Sequence, residues 1–331
     1  NSAAKNAAVI CSITGLQNVS TAPKRLFDGE LETSVPHINA YLIGHEDVWI
    51  KGKGKSSWGL PHMAFGCMPY DAGELILSPE ERATFVSSHP RSEKFLRRLM
   101  GSQEVVKGVE RHCLWISDVE LVEALQIPPV ADRIERTRIA RLKMKDKAGK
   151  ALAERPHQFR EHIAPTHHAI LIPSVTSERR PYLLVAMVGA DVIASNLNQV
   201  LYDAPEWCVA LIASRLHLVW IATVCGKLKS DFRYSNTLGW NTFPVPKFSD
   251  DQLAQLSVSA RRILKTRYQH YPKTIADLYD PDKMPNDLRQ AHRDNDDLLE
   301  TMYIGRPFRN DTERLEKLFK LYAARVKQGG K

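Results

Sequence analysis

The residues of this chain best suited to chemistry lie in the run Gly226-Lys227-Leu228-Lys229-Ser230-Asp231-Phe232-Arg233-Tyr234-Ser235-Asn236, closed by Asn241-Thr242-Phe243-Pro244-Val245-Pro246. Lys227, Lys229 and Arg233 are cations able to neutralise phosphates, and Ser230, Ser235 and Asn236 are short donors and acceptors suited to sugar, phosphate or base edges. Tyr234 is a further neutral partner. Asp231 either steadies Lys229 or Arg233, or accepts from a cytosine amine. This is the composition expected of a surface that grips a phosphate backbone. The competing reading is a salt-bridged turn at a helix end with no ligand.

Charge elsewhere points the same way. The 331 residues carry a formal net charge of +8 and a pI near 9.2, which suits a polyanionic partner. Residues 131–160 hold ten Lys or Arg against four Asp or Glu, a local net of +6. Arg133, Arg136 and Lys143 fall there, on an expected helix whose apolar stripe is only Val130, Ile134, Ile139 and Leu142. Its other faces are either solvated or bound to something negative. Arg179 and Arg180 sit in a third basic place, a polar turn between two expected strands. Gly52-Lys53-Gly54-Lys55-Ser56 resembles part of a phosphate loop but lacks its spacing and its strand-to-helix context, and reads as a mobile basic loop.

No catalytic constellation accompanies these cations. The chain has no Gly-x-Gly-x-x-Gly, no Walker loop, no Gly-x-Ser-x-Gly and no His-Glu-x-x-His. His157, His162, His167 and His168 cluster, but their spacing does not stack them on one helix face for a metal. Cys67-Met68-Pro69-Tyr70 lacks the polar residue and second proline of the Asn/Asp-Pro-Pro-aromatic loop with which amino-methylating DNA enzymes hold an extruded base, and reads as a turn. Five widely spaced cysteines suit reduced, mostly buried thiols. No apolar run approaches the ~20 residues of a membrane span and no signal peptide opens the chain, so no membrane partner and a cytoplasmic location are expected.

The elements that must position these residues are of both kinds, and the length suggests more than one domain. Strands are expected at 7–15, 42–43, 48–50, 74–77, 112–116, 169–172 and 182–188. Helices are expected to start at Ser78-Pro79-Glu80-Glu81, to cover the basic stretches 91–100 and 130–147, and to run over 204–224 beneath the cationic loop. After Pro246 the apolar spacing turns helical throughout: Leu253, Leu256, Ala260, Ile263, Leu264; then Leu288, Ala291, Leu298, Leu299; then Leu315, Leu318, Phe319, Tyr322. The fold class is therefore mixed α/β (α+β), with a small all-helical domain at the end. A core strand so near a first residue that is not Met suggests a piece of something larger.

Leu228 through Ser235 with Asn241 through Pro246 resembles the stretch late in the MmeI-like type II restriction-modification enzymes and their methyltransferase relatives. Ordered pieces along the chain agree: Ala7-Ala8-Val9-Ile10, Phe65-Gly66-Cys67-Met68-Pro69, Arg111-His112-Cys113-Leu114-Trp115-Ile116, Pro173-Ser174-Val175-Thr176-Ser177-Glu178-Arg179-Arg180, Leu278-Tyr279-Asp280-Pro281 and Ala291-His292-Arg293-Asp294. The family often has Gly-Asn-Met-Pro where this chain has Gly66-Cys67-Met68-Pro69.

The resemblance implies terminal strands of a methyltransferase domain at 1–41, a DNA target-recognition domain with a mixed sheet at 42–247, and a helical C-terminal domain at 248–331. It also implies sequence-specific recognition of double-stranded DNA for an S-adenosylmethionine-dependent adenine-N6 methyltransferase. The cofactor and the catalytic residues would then lie in the methyltransferase domain of the same polypeptide, with none in this chain, which would be inactive alone. Arg133, Arg136, Lys143, Arg179, Arg180, Lys227, Lys229 and Arg233 are the expected DNA contacts, with Ser230, Asp231, Tyr234, Ser235 and Asn236 beside them. A protein-protein adaptor with a merely solvated basic surface is the runner-up reading, and a free-standing enzyme of unknown type is a third.

Overall fold

A computed structural model describes residues 13–15, 18, 20–28, 31–44 and 46–329. The strand expected at 7–15 lies outside these residues except for 13–15, which join no ladder. An antiparallel hairpin, β1 (Lys24–Asp28) and β2 (Leu31–Val35), comes first. Then follow β3 (Ala64–Phe65), β4 (Ile76–Leu77), α1 (Pro79–Ser88), β5 (Leu96–Met100), α2 (Ser102–Lys107), β6 (His112–Leu114), α3 (Leu121–Ala124), α4 (Pro128–Leu142) and α5 (Lys147–Ala151). The middle of the chain supplies β7 (His168–Pro173), β8 (Val175–Thr176), β9 (Ala186–Gly189), β10 (Val192–Ala194), β11 (Asn198–Tyr202), α6 (Trp207–Ile212), α7 (Arg215–Val224), β12 (Lys227–Leu228) and β13 (Asp231–Arg233). Helices α8 (Asp250–Gln269), α9 (Ile275–Leu278), α10 (Asn286–Ile304) and α11 (Asp311–Gly329) complete it.

Three further sheets organise the α+β part. One is antiparallel, in the order β3-β11-β7-β9; a mixed one runs β10-β5-β6-β4 with β10 parallel to β5; a small one runs β12-β13-β8. Strand β7 shows why its residues are apolar on both faces. Ala169 and Leu171 pack with Val105 of α2, whereas Ile170 and Ile172 enter the larger core, as the period of two requires. Helix α1 starts where the sequence indicates: Ser78 Oγ accepts from Glu81 N at 3.2 Å and Ser78 N donates to Glu81 Oε2 at 2.8 Å.

Two cores result. Leu75, Leu77, Phe95, Leu99, Leu114, Ile116, Val130 and Ile134 close one around the mixed sheet. The other begins with Ile43, Ile50 and Met63, takes in nearly all of α6 and α7, and continues without a break into Leu256, Ile263, Leu288, Leu299 and Phe319 of the last helices. The terminal helices are thus fused to the support of the cationic hairpin. Trp220 lies 5.4 Å from the Phe319 ring, Asn295 Nδ2 donates to Ala210 O at 2.9 Å, and Tyr303 donates to Pro244 O at 2.7 Å.

Several local expectations are corrected. Residues 91–100 form a 3₁₀ turn (Pro90–Phe95) and then strand β5, not a basic helix. Leu96 and Leu99 have helical spacing, but ladders to β6 and β10 on both sides of the strand override that preference. Residues 42–43 and 48–50 belong to no strand; Ile43 and Ile50 reach the core from irregular chain in which Asn39 Oδ1 accepts from Tyr41 N and Ile43 N. The expected helix at 204–224 is two, broken at Ser214, whose Oγ accepts from His217 N at 3.1 Å to start α7. Only the end of the strand expected at 182–188 forms one, from Ala186 onward.

Candidate nucleic-acid interface

Helix α7 delivers the chain directly into the cationic run, which folds as a hairpin. Lys227 pairs with Phe232 and Leu228 with Asp231; on the other side of β13, Phe232 pairs with Thr176 and Arg233 with Val175. Arg233 N donates to Gly226 O at 2.9 Å and Tyr234 N to Ser174 O at 2.8 Å. Strand alternation then sorts the side chains: Phe232 and Tyr234 go into the core, while Arg233 is exposed and Asp231 half-exposed. Lys229 lies at the tip with φ +58°, a left-handed conformation that costs a non-glycine residue about 1 kcal/mol. Neither Lys229 nor Arg233 has an acidic partner among the described residues.

The β8 pairing brings the second basic turn alongside the hairpin. Lys227 Nζ lies 3.4 Å from Glu178 Oε2, and Arg179 reaches Asp282 of the helical part at 3.2 Å. Burial pulls the Arg180 guanidinium below its ordinary range, against the opposing pull of the Asp231 and Asp280 carboxylates. The turn carrying Arg179 and Arg180 therefore lies beside the hairpin, although about fifty residues separate the two stretches; Lys227 projects on the Phe232 side, its Nζ 5.3 Å from that ring centre, and Asp231 and Arg233 project on the other.

Other expected contacts have structural work instead. Tyr234 is 3% exposed, and its hydroxyl shares a 2.8 Å hydrogen bond with His217 Nε2, so it has no surface to offer DNA. Asn236 Nδ2 donates to Met63 O at 2.9 Å, and Ser235 Oγ accepts from Leu238 N to begin a π-helical turn over Asn236–Trp240. Both are spent on anchoring the hairpin's exit. Trp240, fully buried, donates from Nε1 to Pro61 O at 2.8 Å.

Helix α4 belongs to the other core and is not brought to the hairpin. Arg133 donates to Glu74 O at 2.7 Å and pairs with Glu81 at 2.9 Å; Arg136 pairs with Glu74 at 2.8 Å and with Asp132. Lys143 alone of the three is exposed and without an ion pair among the described residues. Arg141 on the same helix is fully buried and spends all five of its N–H donors on the carbonyls of Pro69, Tyr70, Leu152, Arg155 and Gln158. Much of the cationic excess on α4 thus clamps this core.

The clustered histidines are used separately. His157 Nε2 lies 2.9 Å from Asp118, His162 stacks on Trp115 at 3.9 Å, and His168 Nε2 lies 2.7 Å from Ala204 O. Among the described residues no group of three His, Cys, Asp or Glu side chains converges on a metal-sized point. Cys67, Cys113, Cys208 and Cys225 are buried free thiols, held protonated by burial, and Cys11 lies outside the described residues.

Comparison with known proteins agrees with this architecture. Residues 44–247 match the family profile "MmeI, target recognition domain", and residues 248–328 match "MmeI, C-terminal domain". The chain belongs to the MmeI family. DNA methyltransferase A of Bacillus subtilis (strain 168) is 36% identical to it over 323 residues, which is 97% of this chain and 37% of that protein. The structure of the type IIL restriction-modification enzyme MmeI in complex with DNA matches with a TM-score of 0.85 at 30% identity, covering 92% of this chain and 42% of that one. The chain spans about two fifths of the length of these MmeI-family relatives. It corresponds to the C-terminal part of an MmeI-like type II restriction-modification enzyme.

Proposed function

We propose that this chain reads a specific sequence in double-stranded DNA, with the β12–β13 hairpin as its principal contact. One observation carries the reading: Lys229 and Arg233 stand exposed and without acidic partners among the described residues, on a hairpin whose opposite face, Phe232 and Tyr234, is locked into the core. A rigid strand pair holding free cations and a half-exposed carboxylate suits a duplex groove. Lys and Arg serve phosphates or guanine edges, Asp231 offers an acceptor for a cytosine amine, and each well-made base contact contributes roughly 1–3 kcal/mol of discrimination. Arg179 and Arg180 extend the grip alongside. The MmeI structure in complex with DNA and the methyltransferase relative support the reading.

In this reading the bound duplex is presented to an S-adenosylmethionine-dependent, adenine-N6-specific methyltransferase domain of the same polypeptide. Extruding an adenine costs a few kcal/mol, so broad backbone contact by the recognition part contributes to the reaction without touching the reacting atoms. We place S-adenosylmethionine outside this chain, because its sequence has no glycine-rich strand-to-helix turn to receive the cofactor.

The test is fluorescence anisotropy with labelled duplex DNA at two salt concentrations, on the intact protein and on its Lys229→Ala/Arg233→Ala variant. Loss of two phosphate contacts makes the salt slope shallower by roughly 1.8 units, at ~0.9 per contact. Unchanged affinity and slope in a folded variant would overturn the hairpin assignment. Absence of any salt-dependent binding in the unaltered protein would favour the adaptor reading.

A further inference from the structure

The loop at 51–58 takes a place that its glycine-rich sequence does not suggest. Lys53 N donates to Thr237 O at 2.9 Å, Asn241 Nδ2 donates to Lys53 O at 2.7 Å, and Ser57 N donates to Asn241 O at 3.2 Å. These contacts lay the loop on the π-helical turn that follows the hairpin. The last helix secures the loop from beyond. Arg325 Nε donates to Ser57 O at 3.2 Å with its guanidinium 5.8 Å from the Trp58 ring centre. Lys51, Lys53 and Lys55 are all exposed, and none has an acidic partner among the described residues.

We propose that Lys51, Lys53 and Lys55 form a second anchor for a DNA phosphate backbone, which Arg325 of α11 holds in position. The proposal rests on the DNA-reading function argued above and adds a site to it. Three exposed ammonium groups, unpaired among the described residues, on backbone hydrogen-bonded at Lys53 and Ser57 form a pre-placed polycation, and ordering it on binding costs little. Such a site gives affinity and register without sequence preference, since lysine meets phosphate as a point charge. It also gives the helical C-terminal part a task in DNA binding: Arg325 is a positioning residue acting through Ser57 and Trp58.

The experiment measures anisotropy against salt for the intact protein with cognate and mixed-sequence duplexes. Three proteins are compared: unaltered, Lys51→Gln/Lys53→Gln/Lys55→Gln, and the hairpin double variant. The triple variant is expected to bind both duplexes more weakly by the same factor, with a slope shallower by roughly 2–3 units. The hairpin variant is expected to bind more weakly with a slope shallower by roughly 1.8 units, as set out above. A triple variant with unaltered slope, beside a hairpin variant that has lost binding, overturns this inference and leaves the DNA reading standing; if both variants match the unaltered protein, the DNA reading falls and this inference with it. For the positioning role, Arg325→Ala is expected to speed tryptic cleavage at Lys51, Lys53 and Lys55 and to reproduce part of the slope change, with Arg325→Lys recovering part of both. Unchanged cleavage and slope in Arg325→Ala overturn that role.

Discussion

Tyr182 donates its phenolic O–H to Asp296 Oδ2 at 2.9 Å, joining the stretch before β9 to helix α10 deep inside the larger core. The other carboxylate oxygen accepts from Arg215 N at 2.7 Å, so both lone-pair faces of Asp296 are used where the hairpin's support meets the terminal helices.

That carboxyl group makes the junction sensitive to pH. Burial, more than any neighbour, raises Asp296 to about 7, against the lowering effect of the Arg215 N–H and Tyr182 hydrogen bonds. The folded state therefore keeps a proton that the unfolded chain releases near pH 4. The contribution is full below that value and is lost as pH rises through about 7. Asp296→Asn is expected to flatten the stability profile across this window by up to about 1.4 kcal/mol per pH unit. Urea midpoints at several pH values, for variant and unaltered protein, check it; parallel profiles would refute it.

His217 carries the opposite dependence. Burial holds it down to about 3, so the neutral ring's contribution is present above its unfolded pKa near 6.5 and is lost as pH falls below that. Tyr234→Phe removes the hydroxyl on its Nε2 and is expected to destabilise by about 1–3 kcal/mol. DNA affinity measured well below the melting temperature should stay within about twofold, because the phenol faces the core. A selective loss of binding at unaltered stability would return Tyr234 to the DNA contacts.

Arg141 provides a stability test of the smaller core. Arg141→Ala strands five carbonyls and is expected to cost about 3 kcal/mol or more. Arg141→Lys should recover less than half of it, since one ammonium with three donors cannot reproduce a planar fork. Urea unfolding of the two variants decides this, and equal stability of lysine and arginine would contradict it.

At the hairpin tip, stability and function should move in opposite directions. Lys229→Gly relieves the left-handed strain and is expected to leave stability unchanged or raise it by up to about 1 kcal/mol, while weakening DNA binding. Thermal melting and anisotropy on one variant read both. A destabilised variant would show that the lysine side chain supports the hairpin.

Much of the architecture is legible in the residues themselves. Leu256, Ala260 and Ile263 announce one face of α8, and Leu288, Ala291 and Leu299 one face of α10; Ser78-Pro79-Glu80-Glu81 announces the start of α1. Such signals report whether a local face is buried, which depends on a few turns of chain. The run at 91–100 misleads for the same reason: Leu96 and Leu99 suit a helix locally, and only the flanking strands from 112–114 and 192–194 make a strand of it.

The sequence by itself determined the mixed α+β class, the helical C-terminal part, the kinship carried by the ordered motifs, and the place in the chain where cations gather. Only the tertiary structure decided which cations are free. Arg133 meets Glu74 and Glu81 more than fifty residues away, Arg141 meets backbone carbonyls that carry no sequence signature, and the loop at Lys53 is tied to Thr237 and Asn241. A charge is available to a partner only after the fold has left it unpaired, and that pairing depends on distances between residues far apart in the chain.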